Sequence, residues 1–375
     1  MKRVAINALL LKENAGGIGV YLENFINYIL VNDVGFEPVV YMPREWYESH
    51  PQYQAFHFIR AVDIETTNPV ARILTEPFFW PKRFKKDKID WFYSPISYIP
   101  LGVRIPSVLT VHDLRSFHER EYYTFLRYHF LNGIISWSVR QAQKVIAVSG
   151  FTANDIIERF HVDRDNVKVI YEGIDSTEYA KSFTADQLAE IKGKYGIKSP
   201  YILSVGHLEP RKNYPRLIRS FARLKKEHHI PHQLVIVGQE NWSFQDIYRI
   251  VDELDLKDQV LFTKFVSQDH IPALYQMAEI FVTLSTFEGF GFTPLESMAA
   301  GTPVVVSNCT SLPEVVGDAA LLCDPFDLED IIRALWMMIS DPRLQQDYVE
   351  KGYANIRRFD WNHGLAEVCK TIREL

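Results

Sequence analysis

Cysteine is scarce in this 375-residue chain: Cys309, Cys323 and Cys369 are all there are, an odd number without any C-x-x-C spacing. That excludes a disulfide framework as the source of stability, and a cysteine-built zinc site with it. A reducing compartment, the cytoplasm, is the expected setting. Long apolar runs are missing too. No stretch approaches the ~20 residues needed to cross a bilayer, so the chain at most lies on a membrane. The opening MKRVAINALLLKENAGG imitates a short signal peptide, yet its apolar run stops at Lys12, Glu13 and a glycine turn instead of a cleavage site; it reads as a first buried strand. Excess positive charge is lacking as well, and a formal net charge of −6 argues against a general nucleic-acid binder. There is no low-complexity tract, and 47% hydrophobic with 23% charged residues is the composition of a folded globular protein.

What is present is alternation. The length suits two domains of about 180 residues each. Short apolar runs alternate with longer amphipathic segments, the pattern of βαβ units with a parallel sheet in each half. In the first half the expected strands are VAINALL, PVVYM, DWFYS, SVLTVHD, KVIAVS and VKVIYEG; in the second, YILSVG, QLVIVG, QVLFTKF, IFVTLS, PVVVSN and ALLCD. The fold class is therefore α/β, two doubly wound Rossmann-like domains joined just after YEGID at about residue 175. Ligands in such sheets bind beyond the carboxyl ends of the strands.

The loops at those ends carry the chemistry. FEGFGFTPLES sets Glu288 and Glu296 either side of Gly289, Phe290 and Gly291. Thr293, Pro294 and Glu296 read as a T-P-x-E capping box with proline at the first helical position, so Glu296 is open to explanation as a cap alone. Glu288 precedes the glycines and has no such role. The glycines permit close backbone approach, and the free N–H groups of a helix start favour an anion. The same physics recurs in NAGGIGVYLENF, where Gly16, Gly17 and Gly19 separate strand from helix without forming a G-x-G-x-x-G. A helix terminus favours an anion by only about 0.3 to 1 kcal/mol, whereas each charge-assisted hydrogen bond adds roughly 1.5 to 3. A diphosphate therefore needs cations, and GHLEPRKNYPRL supplies Arg211 and Lys212 straight after a strand. LTVHDL places His112 and Asp113 at another strand end, where His112 could be a base, an acid or a hydrogen-bond donor.

EPFFWPKRFKKDK, residues 76–88, interleaves Phe78, Phe79, Trp80 and Phe84 with Lys82, Arg83, Lys85, Lys86 and Lys88. Near anionic lipid each cation is worth about 1 kcal/mol, enough together for reversible docking. A solvated face beside a buried aromatic cluster explains the stretch equally well. Asp163 and Asp165 form D-x-D in a polar turn with nothing near them resembling a metal cage. His228, His229 and His232, around Pro231, read as a surface loop rather than a zinc site.

Taken in order, AGGIG, VHD, EPRKN and FEGFGFTPLESMAAGTPVV resemble the retaining GT-B glycosyltransferases of family 4, over nearly the whole chain. The resemblance implies two Rossmann-like domains facing each other across a cleft: 1–175 for the acceptor, 176–355 for the nucleotide sugar, and 356–375 as a terminal helix crossing back to the first. It also implies no metal or other cofactor. By position, Glu296 would accept from the ribose hydroxyls and Glu288 would face the donor sugar. Lys212, assisted by Arg211, would neutralise the diphosphate, with Gly289, Phe290 and Gly291 against sugar and phosphate. His112 would touch the sugar near the reacting carbon, and Gly16 and Gly17 would close over the diphosphate. The chain departs from the family pattern at His207, where arginine is frequent, at Lys264, where glycine is, and at Glu172, where asparagine is.

The activity so implied is metal-independent hexosyl transfer with retention: mannose from GDP-mannose onto a saccharide acceptor, lipid-linked at the inner face of a bacterial membrane, in surface-polysaccharide synthesis such as that of lipopolysaccharide. HDL, EPRKN and FEGFG together carry the likeness to bacterial mannosyltransferases. The alternatives are a UDP-sugar transferase of the same family, a nicotinamide-dependent dehydrogenase, and a catalytically silent transferase-like subunit. The dehydrogenase reading accounts for neither Arg211-Lys212 nor the paired acids.

Overall fold

The computed structural model of the chain describes residues 1–12, 16–64, 69–198, 200–242 and 244–375, with the side chains of 69–74 left aside. Residues 13–15, part of the predicted glycine turn, lie outside that description. Two compact units divide the chain: Met1–Gly173 with Trp361–Leu375, and Ile174–Asp360.

The first unit is built on seven parallel strands, β1 (Arg3–Asn7), β2 (Glu37–Pro43), β3 (Ile59–Val62), β4 (Trp91–Ser94), β5 (Ser107–Val111), β6 (Lys144–Ala147) and β7 (Val167–Val169), in the order β3-β2-β1-β4-β5-β6-β7. Helices cover both faces, so the central strands are apolar along their length rather than alternating. The period-2 geometry of a strand still sorts their side chains. Val4, Ile6, Val40, Met42 and Tyr93 enter one core layer, while Ala5, Val39, Tyr41 and Phe92 enter the other. The first layer packs against helices Gly16–Val31 and Trp361–Arg373, the second against Pro69–Asp87, Phe125–Gln141 and Gly150–Phe160. Helix Trp361–Arg373 buries Leu365, Val368, Cys369 and Ile372, an i, i+3, i+4, i+7 stripe. Each large apolar side chain so buried stabilises by about 1.5 to 3 kcal/mol, which accounts for the return of the chain's last segment to this unit. Gly173 makes the close approach possible, since a Cβ there would lie 2.5 Å from the backbone nitrogen of Trp361.

The second unit repeats the design with β8 (Tyr201–Val205), β9 (Gln233–Val237), β10 (Val260–Lys264), β11 (Ile280–Thr283), β12 (Val304–Ser307) and β13 (Leu321–Cys323), ordered β10-β9-β8-β11-β12-β13. Helices Tyr214–His228, Gln245–Glu253 and Leu328–Ser340 pack on one face through Leu217, Phe221, Ile250, Leu335 and their neighbours. In each sheet the strand order reverses beside its first strand, between β1 and β4 and between β8 and β11. Connections leave in opposite directions there and open a crevice beyond the carboxyl ends.

Three local expectations are corrected. Ile59–Val62 is an edge strand that its mixed sequence hides. The T-P-x-E capping box does not form: helix Phe292–Ala299 is capped by Gly291, at φ 110°, with no side-chain cap, so Glu296 lies inside the helix and is free of that duty. The three histidines do not share a surface loop: His229 is exposed there, but His232 is buried with Nε2 2.9 Å from Glu279, and His228 ends a helix and stacks on Trp336 at 4.0 Å. Asp163 uses its carboxylate to accept from the Asp165 amide within a turn. Among the described residues no helix is long and apolar enough to cross a membrane.

Candidate active site

The loop after β8 and the loop after β11 meet at the second unit's switch point. After β8 the chain passes Gly206 and forms a single 3-10 turn, Pro210–Lys212. After β11 it runs through Ser285 to the glycines and into helix Phe292–Ala299. The two loops are stitched by their backbones, the Thr286 amide donating to the Arg211 carbonyl at 2.8 Å. Gly206 and Gly238 have physical reasons to be glycine. A Cβ on Gly206 would sit 2.7 Å from Cε of Lys212, and one on Gly238 only 2.0 Å from the Gly206 carbonyl oxygen. Lys212 thus lies in a groove that any other residue at 206 would fill.

Three charged side chains then converge. Lys212 Nζ is 2.8 Å from Oε1 of Glu288, and Nη1 of Arg211 is 2.5 Å from the same oxygen. Nε of Arg211 reaches Glu209 at 2.6 Å. Lys212 is only 8% exposed, so its ammonium would be costly to leave without a counter-charge. Burial pushes the Lys212 ammonium down; Glu288 opposes this and the neighbouring Arg211 charge adds to it, leaving the pKa below its ordinary value. For Glu288 burial pushes upward, but Arg211 and Lys212 override it and hold the carboxyl at about 2. Glu288 is therefore ionised at any working pH, a fixed anion between two cations.

The rest of the loop is locked around it. The Ser311 hydroxyl lies 2.9 Å from the Glu288 carbonyl and 2.7 Å from that of Phe290, while the Glu288 amide donates to Thr310 Oγ1 at 3.2 Å. Gly291 again has no room for a side chain, since its Cβ would fall 2.7 Å from Leu312. Gly289 and Phe290 are buried, with the Phe290 ring against Phe292 and Phe359. One helical turn on, Glu296 accepts from the Tyr275 hydroxyl at 2.8 Å and from Tyr179. Burial raises its pKa, while those two phenols and Lys212 work the other way. So Arg211, Lys212, Glu288, Gly289, Phe290, Gly291 and Glu296, named from sequence, stand together in one crevice. Their partners Glu209, Tyr179 and Tyr275 escaped notice; only Glu209, inside the EPRKN stretch, carried a sequence signal.

The remaining candidates belong to the first unit. Gly16, at φ 64°, and Gly17 are exposed and open helix Gly16–Val31. His112 is buried one residue beyond β5, with both ring nitrogens engaged. Nε2 is 2.8 Å from the carbonyl of Pro95, which can only accept, so Nε2 carries a hydrogen. Nδ1 is 2.9 Å from Glu172, and the ring meets Tyr21 edge-on at 5.0 Å. Of the roles open from sequence, this arrangement favours a held hydrogen-bond donor over a base. Burial pushes the His112 pKa down, but Glu172, the Pro95 carbonyl and Asp113 more than reverse this and leave it above its ordinary value. Glu172, where the family pattern has asparagine, is thus the partner of the histidine. His207 is exposed, and Lys264 ends β10 at φ 59°.

Comparison with known proteins places this geometry in context. The family model described as Glycosyltransferase Family 4 matches residues 15–178, and that described as Glycosyl transferases group 1 matches 188–355. The chain is 31% identical over 297 residues to O-antigen chain mannosyltransferase B of Escherichia coli, covering 79% of this chain and 77% of that protein. It is 29% identical over 260 residues, 68% of its length, to the serotype-specific mannosyltransferase WbdA of the same organism, and spans 32% of that longer protein. In fold it resembles Anabaena Alr3699/HepE, solved in complex with UDP and glucose, at a TM-score of 0.76 and 19% identity over 100% of both chains.

The His112–Glu172 contact makes a pH-dependent prediction. A histidine whose folded pKa is raised contributes stability that is complete below about 6.5, its unfolded value, and is lost as pH rises through the folded one. Glu172→Gln should therefore cost most stability at pH 6, about 1.5 to 3 kcal/mol for a charged hydrogen bond, seen as a lowered thermal midpoint, with the gap to wild type closing toward pH 9. A gap constant across that range would deny the pair its charge.

Proposed function

Because the chain belongs to the family 4 glycosyltransferases of the GT-B fold, we propose that it transfers mannose from GDP-mannose to a saccharide acceptor, with retention of anomeric configuration. The observation that carries this reading is the Arg211–Lys212–Glu288 cluster at the switch point of the second sheet. A buried lysine and a largely covered arginine beside a helix start are what a departing diphosphate requires. When the bond between the sugar's anomeric carbon and the diphosphate oxygen breaks, negative charge gathers on the diphosphate, and preorganised cations and amides there lower the barrier. Glu288 keeps Arg211 and Lys212 in place until the donor arrives and then faces its sugar. Glu296 takes the ribose, and the Gly289–Gly291 backbone lies along sugar and phosphate. His112, Gly16 and Gly17 remain candidate donor-binding residues on the family resemblance alone. The chemistry calls for no metal, because the cations do that work.

Mannose as the transferred sugar and surface polysaccharide as the destination are supported by the printed names of the sequence relatives, among them O-antigen chain mannosyltransferase B. A UDP-sugar donor is the second reading, supported by the UDP bound to the Anabaena neighbour. A lipid-linked acceptor at the cytoplasmic membrane face is supported by helix Pro69–Asp87. Trp80 and Phe84 are buried on it, whereas Phe78 is 71% exposed and Lys82, Lys85 and Lys86 point to solvent. Phe78, Phe79, Lys82, Arg83 and Lys86 line a groove of about 510 Å³ there.

Lys212→Ala should leave the fold standing, since Arg211 still pairs Glu288, but cut turnover 10²- to 10³-fold, about 3 to 4 kcal/mol. Wild-type turnover in that variant contradicts the assignment. A thermal-shift panel of GDP, UDP, ADP and NAD separates the readings: stabilisation by GDP supports the mannosyl donor, UDP the second reading, NAD a dehydrogenase, and none of them a silent subunit.

Vesicles test the membrane contact. The protein should co-sediment with anionic vesicles at low salt, and each of Lys82→Ala, Lys85→Ala and Lys86→Ala should weaken this roughly fivefold, about 1 kcal/mol. Absence of binding would favour a soluble acceptor.

A further inference from the structure

Glu296 does not stand alone, and the two tyrosines that hold it are the least explained polar groups of the second unit. Tyr275 is fully buried on helix Ile271–Met277, with its ring 5.4 Å from that of Phe281. A phenylalanine would fill that volume without burying a hydroxyl, which is costly to bury unpaired. The hydroxyl instead meets Glu296 Oε2 at 2.8 Å. Tyr179 brings a second phenol to the same carboxyl from the short helix Ser176–Tyr179, the two rings 5.9 Å apart and edge to face.

Both phenols are anchored from behind. The Tyr275 carbonyl accepts from Thr302 Oγ1 at 2.6 Å, and the adjacent Leu274 carbonyl accepts from Tyr201 Oη at 2.6 Å. Gln276, next in the same helix, donates through its side-chain amide to the carbonyls of Tyr179 at 2.7 Å and Lys181 at 2.8 Å. Asp175 caps the short helix through the amides of Thr177 and Glu178 at 3.1 and 3.2 Å. The carboxyl is therefore fixed from two directions by groups that are themselves fixed.

We propose that Tyr179 and Tyr275 are positioning residues for nucleotide recognition, orienting the Glu296 carboxylate so that the acceptor sites they leave unused receive the vicinal hydroxyls of a ribose. An ionised carboxylate has about four lone-pair sites and donates nothing. Two phenols occupy two of them, and two remain, the number that a cis-diol demands. Both tyrosines have their pKa raised by burial, so they stay protonated and remain donors. Their donation also counters the burial that drives Glu296 toward its neutral acid, a form that would spend one of its oxygens on a proton. A rigid acceptor costs less ordering on binding than a carboxylate free to rotate, and that difference belongs to the phenols.

The inference rests on the reading that Glu296 meets the donor's ribose, so the test is built to tell the two apart. Wild type, Tyr179→Phe and Tyr275→Phe are titrated with GDP, 2′-deoxy-GDP, UDP and 2′-deoxy-UDP. Wild type should bind its preferred ribonucleotide about tenfold tighter than the deoxy form. Each phenylalanine variant should narrow that ratio to threefold or less while binding the deoxy form within twofold of wild type. A merely structural tyrosine would weaken both nucleotides alike and leave the ratio at ten, which overturns the proposal and spares Glu296. A wild type without ribose preference, or without nucleotide binding, overturns both. Should Tyr275→Phe unfold, the less deeply buried Tyr179→Phe variant decides, its thermal midpoint serving as the folding control.

Discussion

One carboxylate holds the second unit's crevice in working order. Glu288 lies within 2.8 Å of Lys212 and 2.5 Å of Arg211, bridging the loop after β8 to the loop after β11. Taking these charges out of water costs several kcal/mol per ion, and the attraction repays it only while Glu288 stands between the two cations. Deleting Glu288 would leave two like charges side by side with Glu209 alone to balance them. The glycines follow from the same constraint. Gly206 is bare because Lys212 lies across it, and Gly238 is bare because Gly206 must come that close. The strand order, reversing between β8 and β11, supplies the gap in which this can happen.

From that bridge the division of labour follows. Its cations suit a diphosphate, and its anion is fixed by them with a pKa near 2. In the helix that follows, Glu296 is the opposite kind of acid, raised by burial and hydrogen-bonded by neutral phenols rather than held in an ion pair. Two carboxyls eight residues apart thus have different surroundings, one ionic and one hydroxylic. An ionic surrounding suits charge that changes during reaction, whereas a hydroxylic one suits recognition of sugar hydroxyls.

Much of this was legible in the sequence because it depends on local pattern. Buried parallel strands announce themselves as apolar runs such as VIAV and VVVS, and strand-end loops carry their glycines and charges in plain order. What was hidden depends on distance in the chain or on competing local signals. Ile59–Val62 lies at the sheet edge with two of its four residues half-buried, so its period is too weak to read. The T-P-x-E pattern suggested a cap, yet Gly291 takes that position because only it adopts φ 110° against Leu312. Glu172 is 60 residues from His112, and Tyr179 and Tyr275 look like ordinary core aromatics until the fold brings them to Glu296. His232 was misplaced for the same reason, its partner Glu279 belonging to the segment before β11.

A crystal structure of the protein with GDP bound tests the central claim most directly. The account predicts the diphosphate at the ends of β8 and β11, with phosphate oxygens about 2.7 to 3.2 Å from Lys212 Nζ and the Arg211 guanidinium. A nucleotide bound elsewhere, with Lys212 still committed to Glu288 alone, would contradict it.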